Sequence, residues 1–181
     1  MDIERTELHS ERLLLRPWRF SDLDDAFSNA SDPEWARYLW RVPQPYTHRD
    51  AEEFIARAVA DGWNDQALFA IEFEGHAIGG VRLGIVDPAG MTGSIGYNVA
   101  PSHWGKGIAT EAVDAALRYG FETLKLQRIF ATADARNLAS IRVLQKLGMR
   151  HEGTLRRHRY YRGEWADEVH YGLLAEEYGH T

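Results

Sequence analysis

Apolar and polar positions follow strand-like patterns through the middle of the chain. Three runs alternate or stay apolar, and each one stops at Gly, Asp-Pro or Pro: ALFAIEFEG (67–75), HAIGGVRLGIVD (76–87) and TGSIGYNVAP (92–101). Side chains alternate between the two faces of a strand, so runs of this kind bounded by turn residues are typical of strands. Because the connections between them are short, the three runs predict an antiparallel meander.

After Trp104 the apolar positions change to a helical spacing. One predicted helix reaches about Leu124, and its apolar face consists of Ala109, Ala112, Val113, Ala116 and Leu117. The segment RIFATAD predicts a strand. The segment NLASIRVLQKLG predicts a helix with Asn137 as N-cap and Gly148 as its stop. The segments MRHEGTLR and DEVHYGLL predict two closing strands.

The first third of the chain predicts one strand and three helices. RLLLRPW predicts a strand that ends near Pro17. Ser21 with Asp24, and Thr47 with Asp50, have the spacing of capping boxes ahead of SDLDDAFSNA and DAEEFIARAVADG. Pro33 is expected to open a second short helix, PEWARYLW, since proline is favoured in a first helical turn. Strands, helices and strands in this order favour an α+β, or mixed α/β, fold.

Composition narrows the class of protein. A chain of 181 residues predicts one domain over 1–181, and a net charge of −6 argues against nucleic-acid binding, which needs a basic face. The absence of cysteine excludes disulfides, a cysteine nucleophile and thiolate metal sites. No apolar run approaches the roughly 20 residues that span a bilayer, and the charged stretch MDIERTELHSER does not have the apolar core of a signal peptide. We therefore expect a cytoplasmic protein without a membrane or nucleic-acid partner.

The stretch HWGKGIATEA (103–112) places two glycines directly ahead of a predicted helix. The first N–H groups of a helix have no partner inside the helix, and Gly105 and Gly107 carry no side chain that would keep an anion away. Lys106 adds a positive charge and Thr110 a hydroxyl group. The alternative is a strand-to-helix turn that needs glycine for its backbone angles, which explains a Gly-x-Gly equally well.

Two phosphate-binding motifs can be compared with this stretch. The pattern GxxxxGK[ST] does not occur, so the sequence excludes a P-loop. GKGIAT is close to GxGxxG, but Thr110 replaces the third glycine, and no acidic residue ends a following strand about 20 residues on. The preceding strands also appear in an antiparallel order. A dinucleotide-binding oxidoreductase is therefore disfavoured.

Four segments, in this order, resemble the GNAT superfamily of N-acetyltransferases, in its RimJ/RimL-like branch: SERLLLRPW, SIGYNVAPSHWGKGIATEA, NLASIRVLQKLGMRHEGTLR and GEWADEVHYGLLAEEY. WGKGIA is similar to the pyrophosphate loop Q/R-x-x-G-x-G/A, with Trp104 in place of Gln or Arg. The resemblance implies a central, mostly antiparallel twisted sheet flanked by helices. It also implies that acetyl-CoA lies in a splay between the central strands.

The resemblance also implies roles for individual residues. In the family a distorted strand frees a backbone N–H for the acetyl carbonyl, and by position this amide belongs to Val99. Asn137 would bind the pantetheine arm, besides capping its helix. Ser140 would protonate the leaving thiolate, because the tyrosine that many members use is here Leu144. The implied acetyl-CoA-binding residues are Tyr97, Asn98, Val99, Trp104, Gly105, Lys106, Gly107, Ile108, Ala109, Thr110, Asn137 and Ser140.

The sequence does not assign the general base. The branch often carries Glu ahead of I-G-Y, where this chain has Ser94. The open candidates are Glu72, Glu74, His76, Asp87, His158 and His170. No pair of histidines has H-x-x-x-H or H-x-H spacing, so no metal site is expected. The aromatic-rich segment PEWARYLWRVPQPY is where the family has its acceptor site, and its aromatic residues are equally consistent with core packing.

The resemblance predicts an enzyme that transfers acetyl from acetyl-CoA to a primary amine by direct attack in a ternary complex. The acceptor would be either a protein N-terminal α-amine or a small-molecule amine. The alternative is a catalytically silent CoA-binding module that senses or scaffolds. Family members are often homodimers, but no feature of this chain demonstrates an oligomer.

Overall fold

The computed structural model of the chain describes residues 3–60 and 63–179. Strand β1 is Leu8–His9, β2 is Leu14–Pro17, β3 is Gln66–Phe73, β4 is His76–Asp87, β5 is Thr92–Val99, β6 is Arg128–Asp134, β7 is Arg150–Tyr161 and β8 is Glu164–Leu174. Helix α1 is Leu23–Ala30, α2 is His48–Ala60, α3 is Ile108–Arg118 and α4 is Leu138–Lys146. Met1, Asp2 and the last two residues of the predicted helix 50–62 lie outside the described residues.

The strands within the described ranges form one eight-stranded sheet in the order β1-β2-β3-β4-β5-β6-β8-β7. The meander predicted from the three apolar runs is confirmed, since β3, β4 and β5 pair antiparallel along their lengths. β5 and β6 form the sheet's parallel pair, and α3 connects them. A mixed α+β fold with a mostly antiparallel sheet is therefore correct. A parallel unit nevertheless lies at the glycine-rich loop.

The core forms on both faces of this sheet. The larger cluster includes Phe69, Val81, Leu117 and Ile129, and it packs α3 and α4 against the centre of the sheet. The smaller cluster packs α1 and α2 on the opposite face, with Trp18 and neighbouring small residues. None of the helices in the described ranges is long and apolar enough to cross a membrane.

Several predicted boundaries are confirmed. The predicted strand RIFATAD coincides with β6. After α3 the helix continues through a π-helical turn over Tyr119–Thr123, so its end agrees with the predicted end near Leu124. Asn137 caps α4 by accepting a hydrogen bond at 3.1 Å from the backbone N–H of Ser140. Thr47 and Asp50 exchange capping hydrogen bonds ahead of α2.

Two local predictions are wrong. Ser21 and Asp24 form no capping box, because α1 begins only at Leu23, after a 3-10 turn over Phe20–Asp22. The carboxylate of Asp22 instead accepts hydrogen bonds from the backbone N–H of Arg19 and from the buried guanidinium of Arg16. Because the Asp22 side chain takes part in this buried ion pair, the helix begins after it, at Leu23, rather than near Ser21.

The segment PEWARYLW forms turns rather than the predicted second helix. The backbone N–H of Glu34 donates to the Asp32 side chain at 2.8 Å. One bond that spans four residues follows, from Ala36 N to the carbonyl of Asp32, and the later bonds span three, as from Leu39 N to the carbonyl of Ala36. An aspartate that binds the backbone two residues on competes with helical bonding. The segment from Glu34 to Trp40 instead contributes to the walls of two pockets beside β5.

Candidate active site

β5 and β6 diverge in the centre of the sheet. Their parallel pairing covers only Thr92–Ser94 against Arg128–Phe130, although both strands continue for several residues. Their carboxyl ends therefore leave an opening in the sheet. The splay predicted between the central strands is present.

The backbone of Tyr97 and Val99 faces this opening. The N–H of Ala100 donates to the carbonyl of Ile78 at 2.7 Å, and the register pairs Val99 with Gly79. Hydrogen-bonded and non-bonded pairs alternate in an antiparallel ladder. The peptide groups of Val99 and Tyr97 therefore point away from β4 and toward the splay.

The expected distortion of β5 is not what frees these groups. Its pairing with β4 runs without a break from Val99 to Gly93, and the irregularity lies at the other end, between Ile85 and Asp87. The N–H of Val99 instead has no strand partner because β6 diverges from β5 before it reaches Val99. This corrects the mechanism that the resemblance implied and keeps the same amide as the candidate donor.

The glycine-rich loop forms the start of α3. Gly105 and Gly107 have φ angles of 74° and 79°, in the left-handed region that favours glycine, and a Cβ on Gly105 would meet open space. The first helical bond of α3 runs from Glu111 N to the carbonyl of Gly107 at 3.0 Å. The preceding amides of the helix therefore have no acceptor inside it and carry the positive end of the helix dipole.

Contacts on both sides hold this loop in place. The indole N–H of Trp104 donates to the carbonyl of Val99 at 2.6 Å, so the residue that replaces Gln or Arg brings a donor of its own. On the other side, Arg12 donates to the carbonyl of Lys106 at 3.1 Å and to the carboxylate of Glu111 at 2.7 Å. Burial opposes the charged form of Glu111, but hydrogen bonds from Ser10 and Arg12 outweigh it and lower its pKa.

A cleft of about 450 Å³ lies along β5, α3 and α4. All the predicted acetyl-CoA residues line it except Lys106, whose carbonyl turns to Arg12. Its wall carries three cationic side chains, Arg37, Arg142 and Lys146, against the single carboxylate of Glu34. The indole N–H of Trp35, also in this wall, is buried without a hydrogen-bond partner. A positive cleft with unpaired donors fits an anionic ligand that carries carbonyl groups, as acetyl-CoA does.

Tyr97 and Ser140 meet across the splay. The Tyr97 hydroxyl lies 2.8 Å from Oγ of Ser140 and donates to the carbonyl oxygen of Ser140 at 3.1 Å. Burial raises the pKa of Tyr97 to about 12, a shift that the bond to Ser140 opposes. The tyrosine is therefore neutral and able to donate over the whole physiological range. Leu144, at the position of the missing family tyrosine, is 1% exposed in the core.

A second, smaller pocket of about 180 Å³ lies on the β6 and β8 side of the splay. It shares five residues with the larger cleft: Tyr38, Leu39, Tyr97, Asn137 and Ser140. Its wall includes Trp40 of the aromatic-rich segment in which the acceptor site was expected. Sequence reasoning missed the other charged and aromatic residues of the wall, which include Asp134, Arg159, Tyr161 and Glu168. The sequence feature that could have indicated Glu168 is the alternation along DEVHYGLL, which places Glu168 and His170 on the face opposite Val169 and Tyr171.

Most of the candidate bases lie away from both pockets. Glu72 pairs with Arg16, and His76 contacts Asp25 at 3.2 Å. Glu74 and Asp87 end strands at turns, and neither lines a pocket wall. His158 and His170 instead flank Glu168, which does line the smaller pocket.

The family of the chain follows from a match of residues 12–150 to the model of the acetyltransferase (GNAT) domain. The chain belongs to the GNAT acetyltransferase family. It is 32% identical over 173 residues to an uncharacterized N-acetyltransferase, p20, of Bacillus licheniformis. The aligned region covers 94% of this chain and 97% of p20. It is 27% identical over 164 residues to spermidine N(1)-acetyltransferase of Escherichia coli K12, covering 91% and 87%.

Among solved structures, this GNAT chain is similar to RimJ of Mycobacterium smegmatis in complex with CoA-disulfide. The TM-score is 0.77 at 28% identity, over 96% of this chain and 88% of RimJ. The RimJ-like resemblance is confirmed, and this GNAT protein is an acetyl-CoA-dependent N-acetyltransferase. A silent CoA-binding module is not favoured. No group of three or more potential metal ligands occurs among residues 3–60 and 63–179.

Proposed function

We propose that this GNAT enzyme transfers acetyl from acetyl-CoA to a primary amine by direct attack while both substrates are bound. The observation that carries the proposal is the meeting of two pockets at Tyr97, Asn137 and Ser140. The positive cleft would hold acetyl-CoA, and the smaller pocket would hold the amine. Two pockets with a common wall suit a reaction in which one substrate attacks the other without a covalent enzyme intermediate.

The residues around the common wall have complementary roles in this mechanism. The amides at the start of α3 would bind the pyrophosphate, with Arg142 and Lys146 adding charge along the same cleft. The N–H of Val99 would stabilise the negative charge that develops on the acetyl carbonyl oxygen. Ser140 would give its proton to the departing thiolate, and the adjacent Tyr97 hydroxyl would support it.

The negative charge of the smaller pocket supports an amine as the acceptor. The smaller pocket carries the carboxylates of Asp134, Asp167 and Glu168 against one cation, Arg159. Such a wall attracts an ammonium group. The spermidine N(1)-acetyltransferase among the similar proteins is named for a small amine. A small amine and a protein N-terminus would each present a primary amine to this wall.

Initial rates with a panel of amines test the proposal. Small alkylamines, polyamines and short peptides are incubated with acetyl-CoA, and release of the CoA thiol and formation of the acetamide are measured together. We expect equal amounts of both products with at least one class of amine, and no burst of thiol before amine is added. A stoichiometric burst in its absence would contradict direct attack. Tight acetyl-CoA binding without any acetylated amine would contradict the proposed function.

A further inference from the structure

Glu168 is a buried carboxylate in a pocket wall. It is 5% exposed, and among the described residues only Arg16 and Asp22 are polar or charged and comparably buried. Arg16 and Asp22 bind each other through two hydrogen bonds of 2.8 Å and line neither pocket. Glu168 lines the smaller pocket next to the splay. Since burial of a carboxylate is costly, its place in a cavity wall calls for a partner of opposite charge.

The two oxygens of Glu168 have different surroundings. Nε of Arg159 donates to Oε2 at 2.7 Å. Oε1 faces two imidazoles, with Nε2 of His170 at 3.2 Å and Nε2 of His158 at 3.5 Å. Despite the short distance, Nε2 of His170 is buried without a hydrogen-bond partner, so its alignment with Oε1 is poor. Oε1 is therefore the oxygen without a well-aligned donor.

The other two carboxylates of this pocket have different surroundings. Asp134 accepts hydrogen bonds from Arg136 and Tyr161, and these outweigh the effect of burial and lower its pKa. Asp167 accepts a hydrogen bond from the backbone N–H of Arg157 at 2.7 Å. Of the three carboxylates in the wall, Glu168 is the one that is buried and also keeps an oxygen without a well-aligned donor, since Asp167 is less buried.

The two histidines connect Glu168 to solvent. Neither lines the pocket, and their side chains are 32% exposed for His170 and 42% exposed for His158. The order from the pocket outward is therefore carboxylate, imidazole and water. An imidazole can accept a proton on one ring nitrogen and release one from the other, so this arrangement can carry a proton out of the pocket.

We propose that Glu168 receives the ammonium form of the acceptor and takes its proton, which then leaves through His170 or His158. The acceptor class that this implies is a cationic primary amine without a carboxylate beside the amino group, because such a carboxylate would be repelled by Asp134 and Asp167. The inference rests on the proposed function, since it concerns the second substrate of the same reaction.

The protons balance in this scheme. The ammonium gives one proton to Glu168 and becomes a neutral amine. Its lone pair forms the bond to the acetyl carbon, and the carbon–sulfur bond breaks. The sulfur takes a proton from Ser140, which regains one from the newly bonded nitrogen. The proton on Glu168 passes to an imidazole and then to water. The products are an acetamide, the CoA thiol and one released proton.

Other titratable or charged groups face this position from several elements. They are Arg159, His158 and Tyr161 on β7, Asp167 and His170 on β8, Asp134 on β6 and Arg136 after it, Tyr97 on β5, and Arg41, which stacks on Trp40 as Arg159 does. A test must therefore separate Glu168 from its surroundings. It can do so by changing the amine as well as the enzyme.

The experiment compares the wild-type enzyme with Glu168→Gln, using two amines of different basicity. The ammonium of n-butylamine resembles that of lysine, with a pKa of about 10.4, whereas the α-amine of alanine amide has a pKa of about 8. At pH 7.5 we expect Glu168→Gln to lower kcat/KM about a hundredfold for n-butylamine and about tenfold or less for alanine amide. With alanine amide the variant should approach the wild-type rate as the pH rises to about 9.5. Free alanine, which carries a carboxylate, should be a poor substrate of the wild-type enzyme.

Two further variants complete the test. Glu176→Gln removes the same charge from an exposed position just after β8 and should leave all rates unchanged. Glu168→Asp keeps the charge opposite Arg159 and should give a smaller loss with the same dependence on the amine, even if Glu168→Gln folds poorly. Acetyl-CoA affinity should be unchanged in every variant.

Equal losses for both amines at every pH would overturn the proton-transfer role, because a purely structural defect does not depend on the basicity of the substrate. Wild-type rates in Glu168→Gln would overturn the inference altogether, and efficient acetylation of free alanine would overturn the acceptor class. Each of these results requires that the wild-type enzyme acetylates amines. If it acetylates none, the proposed function fails instead.

Discussion

The hydroxyl of Tyr97 lies 2.8 Å from Oγ of Ser140, at the point where the two pockets meet. Because the tyrosine also donates to the carbonyl of Ser140, the serine hydroxyl is left to donate to the phenol oxygen. When sulfur becomes negative, the serine proton can turn to it, and the tyrosine can then donate to the serine oxygen. The two hydroxyls therefore form a short relay.

Removing the serine hydroxyl should affect turnover more than binding. We expect Ser140→Ala to lower kcat by about tenfold to a hundredfold, because a donor to a developing thiolate acts mainly in the transition state. Acetyl-CoA affinity should change little. Steady-state kinetics at saturating amine and calorimetric titration with acetyl-CoA measure the two effects. A wild-type kcat with thiolate release rate-limiting would remove Ser140 from the mechanism.

The tyrosine should act through the serine. Tyr97→Phe keeps the ring and removes the hydroxyl, and we expect a decrease in kcat smaller than that of Ser140→Ala. The double variant should be no slower than Ser140→Ala alone, because residues of one relay are not additive. Independent, additive losses in the double-mutant cycle would show that the tyrosine has a separate role.

Ionisation of Tyr97 should destabilise the fold only at high pH. An unfolded tyrosine titrates near pH 10, whereas burial raises the pKa of Tyr97 to about 12. The folded state therefore holds this proton more tightly, so its contribution to stability is full below about pH 10 and decreases from there toward pH 12. Unfolding titrations of the wild type and Tyr97→Phe should show a steeper decline for the wild type in that window. Parallel curves would contradict it.

Asn137 should contribute both to folding and to acetyl-CoA binding. Its side chain caps α4 through the N–H of Ser140, and loss of such a cap costs about 1 kcal/mol. We expect Asn137→Ala to lower the melting temperature by about 2–4 °C and to raise KM for acetyl-CoA. Asn137→Ser, which retains a capping oxygen, should recover the stability. If it also recovers KM, the amide group makes no specific contact with the pantetheine arm.

The glycine at the start of α3 can be tested against a matched control. Gly107 and Gly75 have φ angles of 79° and 84°, and Gly75 lies in the β3–β4 turn with open space around it. Glutamate should strain the backbone at both positions by a similar amount. Only Gly107→Glu should abolish the thermal shift caused by acetyl-CoA, because it places a carboxylate where the phosphates would bind. A retained shift would contradict the phosphate assignment.

The regular elements were predictable because local patterns determine them. The alternation of β3 to β5, the exact run of β6 and the cap of α4 all depend on neighbours within a few residues. The resemblance to GNAT proteins then supplied what periodicity lacks, namely the position of Val99 and the splay. The single domain over 1–181, the cytoplasmic location and the homodimer stay predictions.

The acceptor pocket could not be predicted in the same way. Glu168 reaches it only because β8 pairs with β6 in one register, which sets Glu168 opposite Asp134. Two irregularities in the β7–β8 pairing, one between Leu155 and Arg159, bring Arg159 to the same place. Long-range register and bulges of this kind leave no periodic signature. The helix expected after Pro33 is absent for a local reason instead, because the Asp32 side chain binds the backbone N–H of Glu34 and turns form there.

The short parallel pairing of β5 and β6 has a mechanical consequence. Five strands lie on one side of this seam and three on the other, and three residue pairs join them. Such a sheet has two parts that are weakly joined at this seam. A ligand between β5 and β6 would take the place of the hydrogen bonds that the two strands do not form with each other. Acetyl-CoA would then be a temporary structural member of the sheet. Its departure as CoA would loosen the seam at the step when the acetylated product has to leave.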